Sequence, residues 1–258
     1  MLVTGLTLVV LFVWHESRTE VPLLDLSLFK IRPFALGSFS GALNITAWYG
    51  LSIFMSFYLQ IGLGFSAIQT GLAVLPLIPT FVIMGPLSGR LSDKTGKSRF
   101  IATIGLTLCF VGDLALTLTV GYANTAVIGI ALAIVGAGAG TFNSPNSSDV
   151  MSHVPADRRG AAAGFRSTLS NVGGSASYGL VLLFMTLAIP YASLSTLIQG
   201  GAVVATPLAH QQFLNGARLA VGFLASLNAV AIIPSVLGRP KKAAVAVPAG
   251  QGAVAKTP

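Results

Sequence analysis

The chain has 258 residues, of which 53% are hydrophobic and only 9% are charged. Soluble globular domains carry about 25% charged residues, so most of the surface of this protein cannot face water. The net charge of +8 would suit nucleic-acid binding, but the lysines and arginines lie in short clusters between apolar segments, as membrane topology requires. Composition therefore predicts an integral membrane protein in a lipid bilayer, with no nucleic-acid partner.

Residues 1–14 are apolar but shorter than the about 20 residues that a helix needs to cross a bilayer. No basic region precedes them, and the polar segment 15–18 follows where a signal peptide would have small residues at its cleavage site. We expect 1–14 to be part of a transmembrane span, and 15–33 to be a cytoplasmic linker.

Six further segments are apolar and about as long as a membrane-spanning helix. They cover residues 34–58, 68–88, 100–120, 124–145, 163–189 and 216–237. Helices are expected because backbone polar groups in lipid must be satisfied within the segment. The sequence thus predicts an all-α, six-helix membrane bundle over 34–237, and a disordered tail over the Ala-, Val- and Pro-rich residues 238–258.

The basic residues test this order of spans, because consecutive connections lie on opposite sides of the membrane. Within the connections, Lys and Arg occur only in the first, third and fifth, and also in the tail; connections 59–67, 121–123 and 190–215 have none. By the positive-inside rule the basic connections and the C-terminus are cytoplasmic. The long, half-apolar connection 190–215 is expected along the outer surface.

The most informative segment is Gly85–Arg99, which joins the second and third predicted spans and has the sequence G-P-L-S-G-R-L-S-D-K-T-G-K-S-R. Gly89 permits close helix approach, and Gly96 permits a tight turn. Asp93 can bind backbone amides at a helix end or pair with an arginine. This order of residues resembles the loop signature of the major facilitator superfamily.

Several further segments are similar to one branch of that superfamily, the fourteen-span drug:proton antiporters. These segments are residues 15–18, 21–32, 58–60, 64–76, 144–146 and 154–160. Branch members are about twice as long as this chain. The resemblance therefore implies the C-terminal six-helix bundle of a major facilitator transporter, made of two three-helix repeats and preceded by a partial span.

The resemblance implies proton-coupled export of drug-like or other amphipathic small molecules across the cell membrane. The cytoplasmic loop would hold one state of the transport cycle through Gly85, Gly89, Arg90, Asp93, Gly96, Lys97 and Arg99. Transport in the superfamily takes place between two bundles, so the partner would be a separate N-terminal bundle or a second copy. Two alternatives stay open: a non-transporting fragment or accessory half, and a transporter for another metabolite.

Asp113 is the only acidic residue deep inside a predicted span. It lies 14 residues from Arg99, about 21 Å along a helix, and therefore in the outer half of the membrane. A carboxyl group at this depth is a candidate for proton coupling. The alternatives are a structural pair, with Arg218 as the candidate partner, and exposure near the outer interface. Arg166, close to the cytoplasmic face, is expected to snorkel.

Asn44, Trp48 and Tyr49 are candidate cavity residues because they bring polar or aromatic groups into the first complete span, which lines the cavity in the family. Asn171 is a further candidate, with a role in helix contacts as its alternative. Asn44 and Trp48 are four residues apart and share a helix face. Hydrogen bonding between helices is the alternative role for them. The glycines at 136, 138 and 140 predict close helix packing.

No arrangement of residues suggests an enzyme, an organic cofactor or a metal site. The three histidines, His15, His153 and His210, are scattered among the connections. Cys109 is the only cysteine and lies inside an apolar segment, so it forms no ligand cluster and is expected to be a packing residue. The driving ion implied by the resemblance is the proton.

Overall fold

The protein is described by a computed structural model that covers residue 7 and residues 26–189 and 207–238. Seven α-helices form this part of the chain, and it contains no strand. They are α1 (Arg32–Phe57), α2 (Ala67–Val74), α3 (Leu77–Thr95), α4 (Ser98–Thr119), α5 (Thr125–Ser152), α6 (Arg159–Thr186) and α7 (Pro207–Leu237). The predicted partial span, most of the predicted linker and all but the first residue of the predicted tail lie outside the described residues.

The ends of the helices follow from local sequence. Pro33 lies in the first turn of α1, where its missing N–H costs nothing, and a π-helical turn, Tyr58–Gly62, ends that span. A capping box joins Ser66 and Gln69 at the start of α2. Pro76 then separates α2 from α3, so that the second predicted span is a pair of helices in series.

Five helical stretches are long and apolar enough to cross a membrane: Arg32–Gly62, Ala67–Thr95, Ser98–Thr119, Thr125–Ser152 and Pro207–Leu237. The sixth predicted span corresponds to α6, which has 28 residues. It is long enough but less apolar, because arginine, serine, threonine and asparagine side chains occupy much of its first half. The described chain is therefore an all-α membrane bundle, as predicted.

Two connections are shorter than predicted. The segment that resembles the superfamily signature is largely helical: α3 continues to Thr95 and α4 begins at Ser98, so that the turn consists of Gly96 and Lys97. Gly96 has a left-handed φ of 65°, which explains the need for glycine there. Likewise α7 begins at Pro207, so the last part of the predicted outer connection 190–215 is helical.

Glycines bring α5 into close contact with α4 and α3. A Cβ atom on Gly138 would lie 2.5 Å from the Cys109 nitrogen and 2.7 Å from the Gly105 oxygen of α4. Side chains on Gly136 and Gly140 would overlap backbone oxygens of α3. Close packing of this helix, the role predicted for its glycines, is confirmed.

The centre of the bundle is formed by α1, which packs against α6 and α7, and by α5, which packs against α3 and α4. Helices α5 and α6 barely touch each other, which leaves space between them and α1. On the outside, α2 and α3 present large apolar side chains that suit contact with lipid: Ile68, Leu72, Leu75, Ile78, Val82, Ile83, Leu87 and Leu91.

Candidate functional site

A row of three buried polar side chains crosses the bundle from α4 through α7 to α1. The Nδ2 atom of Asn228 donates a hydrogen bond of 2.8 Å to Oδ2 of Asp113. The Nδ2 atom of Asn44 donates one of 2.8 Å to Oδ1 of Asn228 and lies 3.6 Å from the Cys109 sulfur. Asp113, Asn228 and Asn44 are 1%, 2% and 5% exposed. Hydrogen bonds between these side chains therefore take the place of hydrogen bonds to water.

The pairing of Asp113 corrects two sequence-based expectations. Asp113 is fully enclosed rather than exposed near the outer interface. Arg218 does not pair with it: its guanidinium donates to the Val120 carbonyl at 3.1 Å and to Asn215 at 3.3 Å. Among the described residues Asp113 forms no salt bridge, and its Oδ1 atom has no hydrogen-bond partner. A buried carboxyl group with one neutral donor is an expensive feature to keep for structure alone.

A small cavity of about 50 Å³ lies between α1, α5 and α6. Its walls are mostly polar: Ser38, Asn44, Asn143, Asn146, Arg166 and Ser170 line it, with Gly41, Ala42, Ile45, Phe142 and Leu169. Asn44 is therefore both the last member of the buried row and part of the cavity wall. Serine, asparagine and arginine side chains can form hydrogen bonds with a polar group of a substrate.

The other predicted cavity residues lie outside the lining of this cavity. Trp48 packs on Phe81 of α3, with ring centroids 5.0 Å apart. Tyr49 is 41% exposed, and its ring faces Gly174 of α6. Asn171 is exposed. Of the four candidates, the structure brings only Asn44 to the cavity.

Arg166 extends into the space between α5 and α6. Its Nη1 atom donates to the carbonyl oxygen and the hydroxyl of Ser147, at 3.3 and 2.9 Å. It lines both the small cavity and a wider, open cleft of about 230 Å³ beside Met151 and Ala163. The charge is thus held within the bundle by hydrogen bonds to α5.

The segment around Gly96 forms the cytoplasmic end of the bundle in the predicted topology. Arg99 makes a salt bridge of 2.8 Å with Asp149 of α5, and both side chains are less than 16% exposed. A side chain on Gly89 would meet the Ser144 hydroxyl at 2.6 Å. Asp93 is exposed and forms no salt bridge with a described residue.

The remaining members of the segment lie apart from these contacts. Arg90 and Lys97 are exposed, and nothing lies within 4 Å of a Cβ atom built on Gly85. The ionic contact of this region is therefore Arg99–Asp149. Sequence reasoning missed Asp149; the signal was a lone acidic residue near the C-terminal end of α5, opposite a basic cluster.

The fold and its polar interior define a multi-pass helical membrane protein with a polar cavity inside an apolar bundle. A family model for the Major Facilitator Superfamily matches residues 1–178, and the chain belongs to this family. The family is one of transporters, which confirms the prediction that the chain is not an enzyme.

Three relatives illustrate the similarity. The chain is 30% identical over 171 residues to "Multidrug resistance protein Stp" of Mycobacterium tuberculosis, a match covering 66% of this chain and 32% of the relative. It is 30% identical over 172 residues to "Riboflavin transporter RibZ" of Clostridioides difficile, covering 66% and 37%. It is 29% identical over 174 residues to "Multidrug efflux pump LfrA" of Mycolicibacterium smegmatis, covering 66% and 34%. The chain thus matches about a third of the length of each.

Proposed function

We propose that the chain is the C-terminal half of a proton-coupled exporter of drug-like or amphipathic molecules, in the fourteen-span antiporter branch. The order of the segments that resemble this branch supports the proposal, as do the multidrug relatives Stp and LfrA. In this proposal the protein lies in the cell membrane with its C-terminus in the cytoplasm. A first bundle, or a second copy of this chain, supplies the opposite wall of the transport pathway.

The observation that carries the proposal is the row from Asp113 to the cavity. A transporter driven by protons needs a group that gains and loses a proton, together with a physical connection from that group to the substrate. Asp113 is a carboxyl group enclosed in the bundle, and Asn228 and Asn44 connect it to the cavity wall through two 2.8 Å hydrogen bonds. We assign proton binding to Asp113 and substrate contact to the cavity.

The cytoplasmic end would act in the conformational cycle. The Arg99–Asp149 salt bridge ties α4 to α5, and Thr103 and Ser235 join α4 to α7 at 2.9 Å. In the proposed cycle these contacts would keep the ends of the three helices together as they move. In the proposed cycle the exposed Arg90 and Asp93 contact the first bundle in one state and separate from it in the other.

Transport in proteoliposomes tests the proposal. The chain is reconstituted alone and together with the first six-helix bundle of Stp, and uptake of chloramphenicol, a neutral drug with hydroxyl and amide donors, is followed after a pH gradient is imposed. We expect uptake with both bundles present, and its loss in Asp113→Asn. Activity of the chain alone would identify a second copy as the partner, whereas gradient-driven uptake that Asp113→Asn leaves intact would refute the role of Asp113.

Two other results would favour the alternatives. The relative RibZ is named for riboflavin, which makes a metabolite the second candidate substrate. Gradient-driven uptake of riboflavin but not of chloramphenicol would select it. If neither compound moves in any combination, although both bundles insert and associate, the chain is a non-transporting accessory half.

A further inference from the structure

Asn44, in the wall of the cavity, has an amide oxygen that accepts no hydrogen bond from the described residues. Asn44 uses its Nδ2 atom for Asn228 and Cys109, and no described residue donates to its Oδ1 atom. Asn44 lines the cavity. In the arrangement observed, the Oδ1 atom of Asn44 is therefore available as a hydrogen-bond acceptor at the cavity wall.

The protonation state of Asp113 limits which way the amide group of Asn228 can point, and Asn228 in turn contacts Asn44. An ionised carboxylate can only accept hydrogen bonds, so Asn228 must turn its amide nitrogen towards it, as observed. A protonated carboxyl group can donate, and Asn228 can then turn its oxygen to Asp113 and its nitrogen to Asn44. Because the Asn228 nitrogen needs an acceptor, the amide group of Asn44 rotates to present its oxygen to Asn228. Its NH₂ group then faces the cavity.

We propose that Asn228 is a positioning residue that reverses the hydrogen-bonding character of the cavity whenever Asp113 gains or loses a proton. The proton stays on Asp113, and only the two amide groups turn over. With Asp113 ionised, the cavity takes a neutral substrate that presents an N–H or O–H donor. With Asp113 protonated, the same position presents a donor and repels that substrate. The inference rests on the proposed function and gives it a substrate class.

Other charged groups near Asp113 do not provide this connection. The helices packed around α4 carry these charged side chains: Arg32 on α1, Arg90, Asp93 and Lys94 on α3, Asp149 on α5, and Arg218 on α7. None of them forms a hydrogen bond or a salt bridge with Asp113. His210 lies at the start of α7. Cys109, one helical turn from Asp113 on the same helix, is a titratable group that contacts the row through Asn44. Arg166 lies on the cavity itself and disfavours a cationic substrate.

Cys109 also provides a probe of Asn44. It is the only cysteine in the chain and is buried, so its S–H stretching vibration gives one infrared band. The sulfur lies 3.6 Å from the Asn44 nitrogen and 3.6 Å from the Val135 oxygen. When Asn44 turns over, an oxygen replaces its nitrogen beside the sulfur, and the S–H band shifts.

Infrared spectra of the purified chain in detergent, recorded during acidification, test the inference. In the wild type we expect the S–H band to shift together with the appearance of a protonated carboxyl band, which is assigned to Asp113 by its loss in Asp113→Asn. In Asn228→Leu the carboxyl band should still titrate, but the shift of the S–H band should fall to less than about a third. Asn171→Leu, which replaces an exposed asparagine on α6, should behave as the wild type.

The outcomes separate the possible causes. An S–H shift of full size in Asn228→Leu would mean that Asp113 acts on Cys109 directly, and would overturn the inference. A carboxyl band that titrates in the wild type without any S–H shift would overturn it as well. If Asp113→Asn abolishes gradient-driven transport while the S–H band never responds, the proposed function survives and the relay through Asn228 does not. If Asp113 does not titrate, both fail.

Discussion

Replacing Asn228 with leucine tests the energetic coupling of the buried row. Leucine has nearly the shape of asparagine but no polar atoms, so it leaves Oδ2 of Asp113 and Nδ2 of Asn44 without their 2.8 Å partners. A buried polar group that loses its partner costs about 1–3 kcal/mol. Two such groups give an expected loss of about 2–6 kcal/mol in the free energy of unfolding.

The double variant Asp113→Leu/Asn228→Leu makes this prediction sharper. Asp113→Leu alone leaves the Asn228 amide unpaired and should cost about 1–3 kcal/mol. The double variant leaves only the Asn44 nitrogen without its strong partner, so it should also lose about 1–3 kcal/mol rather than the sum of the two single losses. The double variant is thus expected to be more stable than Asn228→Leu.

Unfolding of the purified chain in mixed micelles, induced by dodecyl sulfate and followed by circular dichroism, measures these free energies. Asn171→Leu is the matched control, because Asn171 is exposed on α6 and should change the free energy by less than about 0.5 kcal/mol. Strictly additive losses for Asp113 and Asn228 would show that the two side chains do not interact, and would refute the row as described.

Three further substitutions test the packing and the predicted cytoplasmic end of the bundle, with thermal unfolding in detergent as the measurement. Arg99→Gln leaves Asp149 unpaired and should lower the free energy of unfolding by about 3 kcal/mol. The double variant Arg99→Asp/Asp149→Arg, which restores a pair of opposite charges, should recover part of this loss. An unchanged stability of Arg99→Gln would refute a stabilising role of the pair. Gly138→Ala places a Cβ atom 2.5 Å from the α4 backbone and should lower the free energy of unfolding by about 1–3 kcal/mol. Gly179→Ala is the control, because nothing lies within 4 Å of a Cβ atom built there. Equal losses in the two variants would contradict close packing at Gly138. Gly96→Ala forces alanine into a φ of 65° and should cost about 1–2 kcal/mol; an unchanged melting temperature would argue against the left-handed turn.

The positions of the spans were predictable because lipid imposes a simple rule on the sequence. A segment inside the hydrocarbon must be apolar and long enough to cross it, and five of the six predicted spans satisfy that rule as helices. The helix ends were not predictable by the same rule. Helix α3 continues to Thr95 and α5 to Ser152, since polar residues can extend a helix into water without adding to its hydropathy.

The members of the candidate site were only partly predictable. Asp113 was identified because a carboxyl group inside an apolar segment is costly, and Asn44 because its span lines the cavity in the family that the sequence resembles. Their connection through Asn228 was missed, because Asn228 lies 115 residues from Asp113 in the chain and the contact depends on the rotation of α7 about its axis. The same rotation explains why Arg218 was wrongly chosen: it binds the Val120 carbonyl instead.

In the proposed relay, proton binding at Asp113 either favours or opposes substrate binding at Asn44, depending on the substrate. This dependence determines which substrates the proposed transporter exchanges for protons. A substrate that donates a hydrogen bond to Asn44 requires the oxygen to face the cavity, which requires Asp113 to be ionised. Binding of this substrate and binding of the proton then exclude each other, and mutual exclusion at one connected site is what obligatory exchange needs. A substrate that instead presents a carboxylate would be favoured by the NH₂ group, and so by the proton, and the two would tend to travel together. The row from Asp113 to Asn44 therefore favours export of neutral donor-bearing molecules by exchange, and it predicts that carboxylates are poor export substrates of this half.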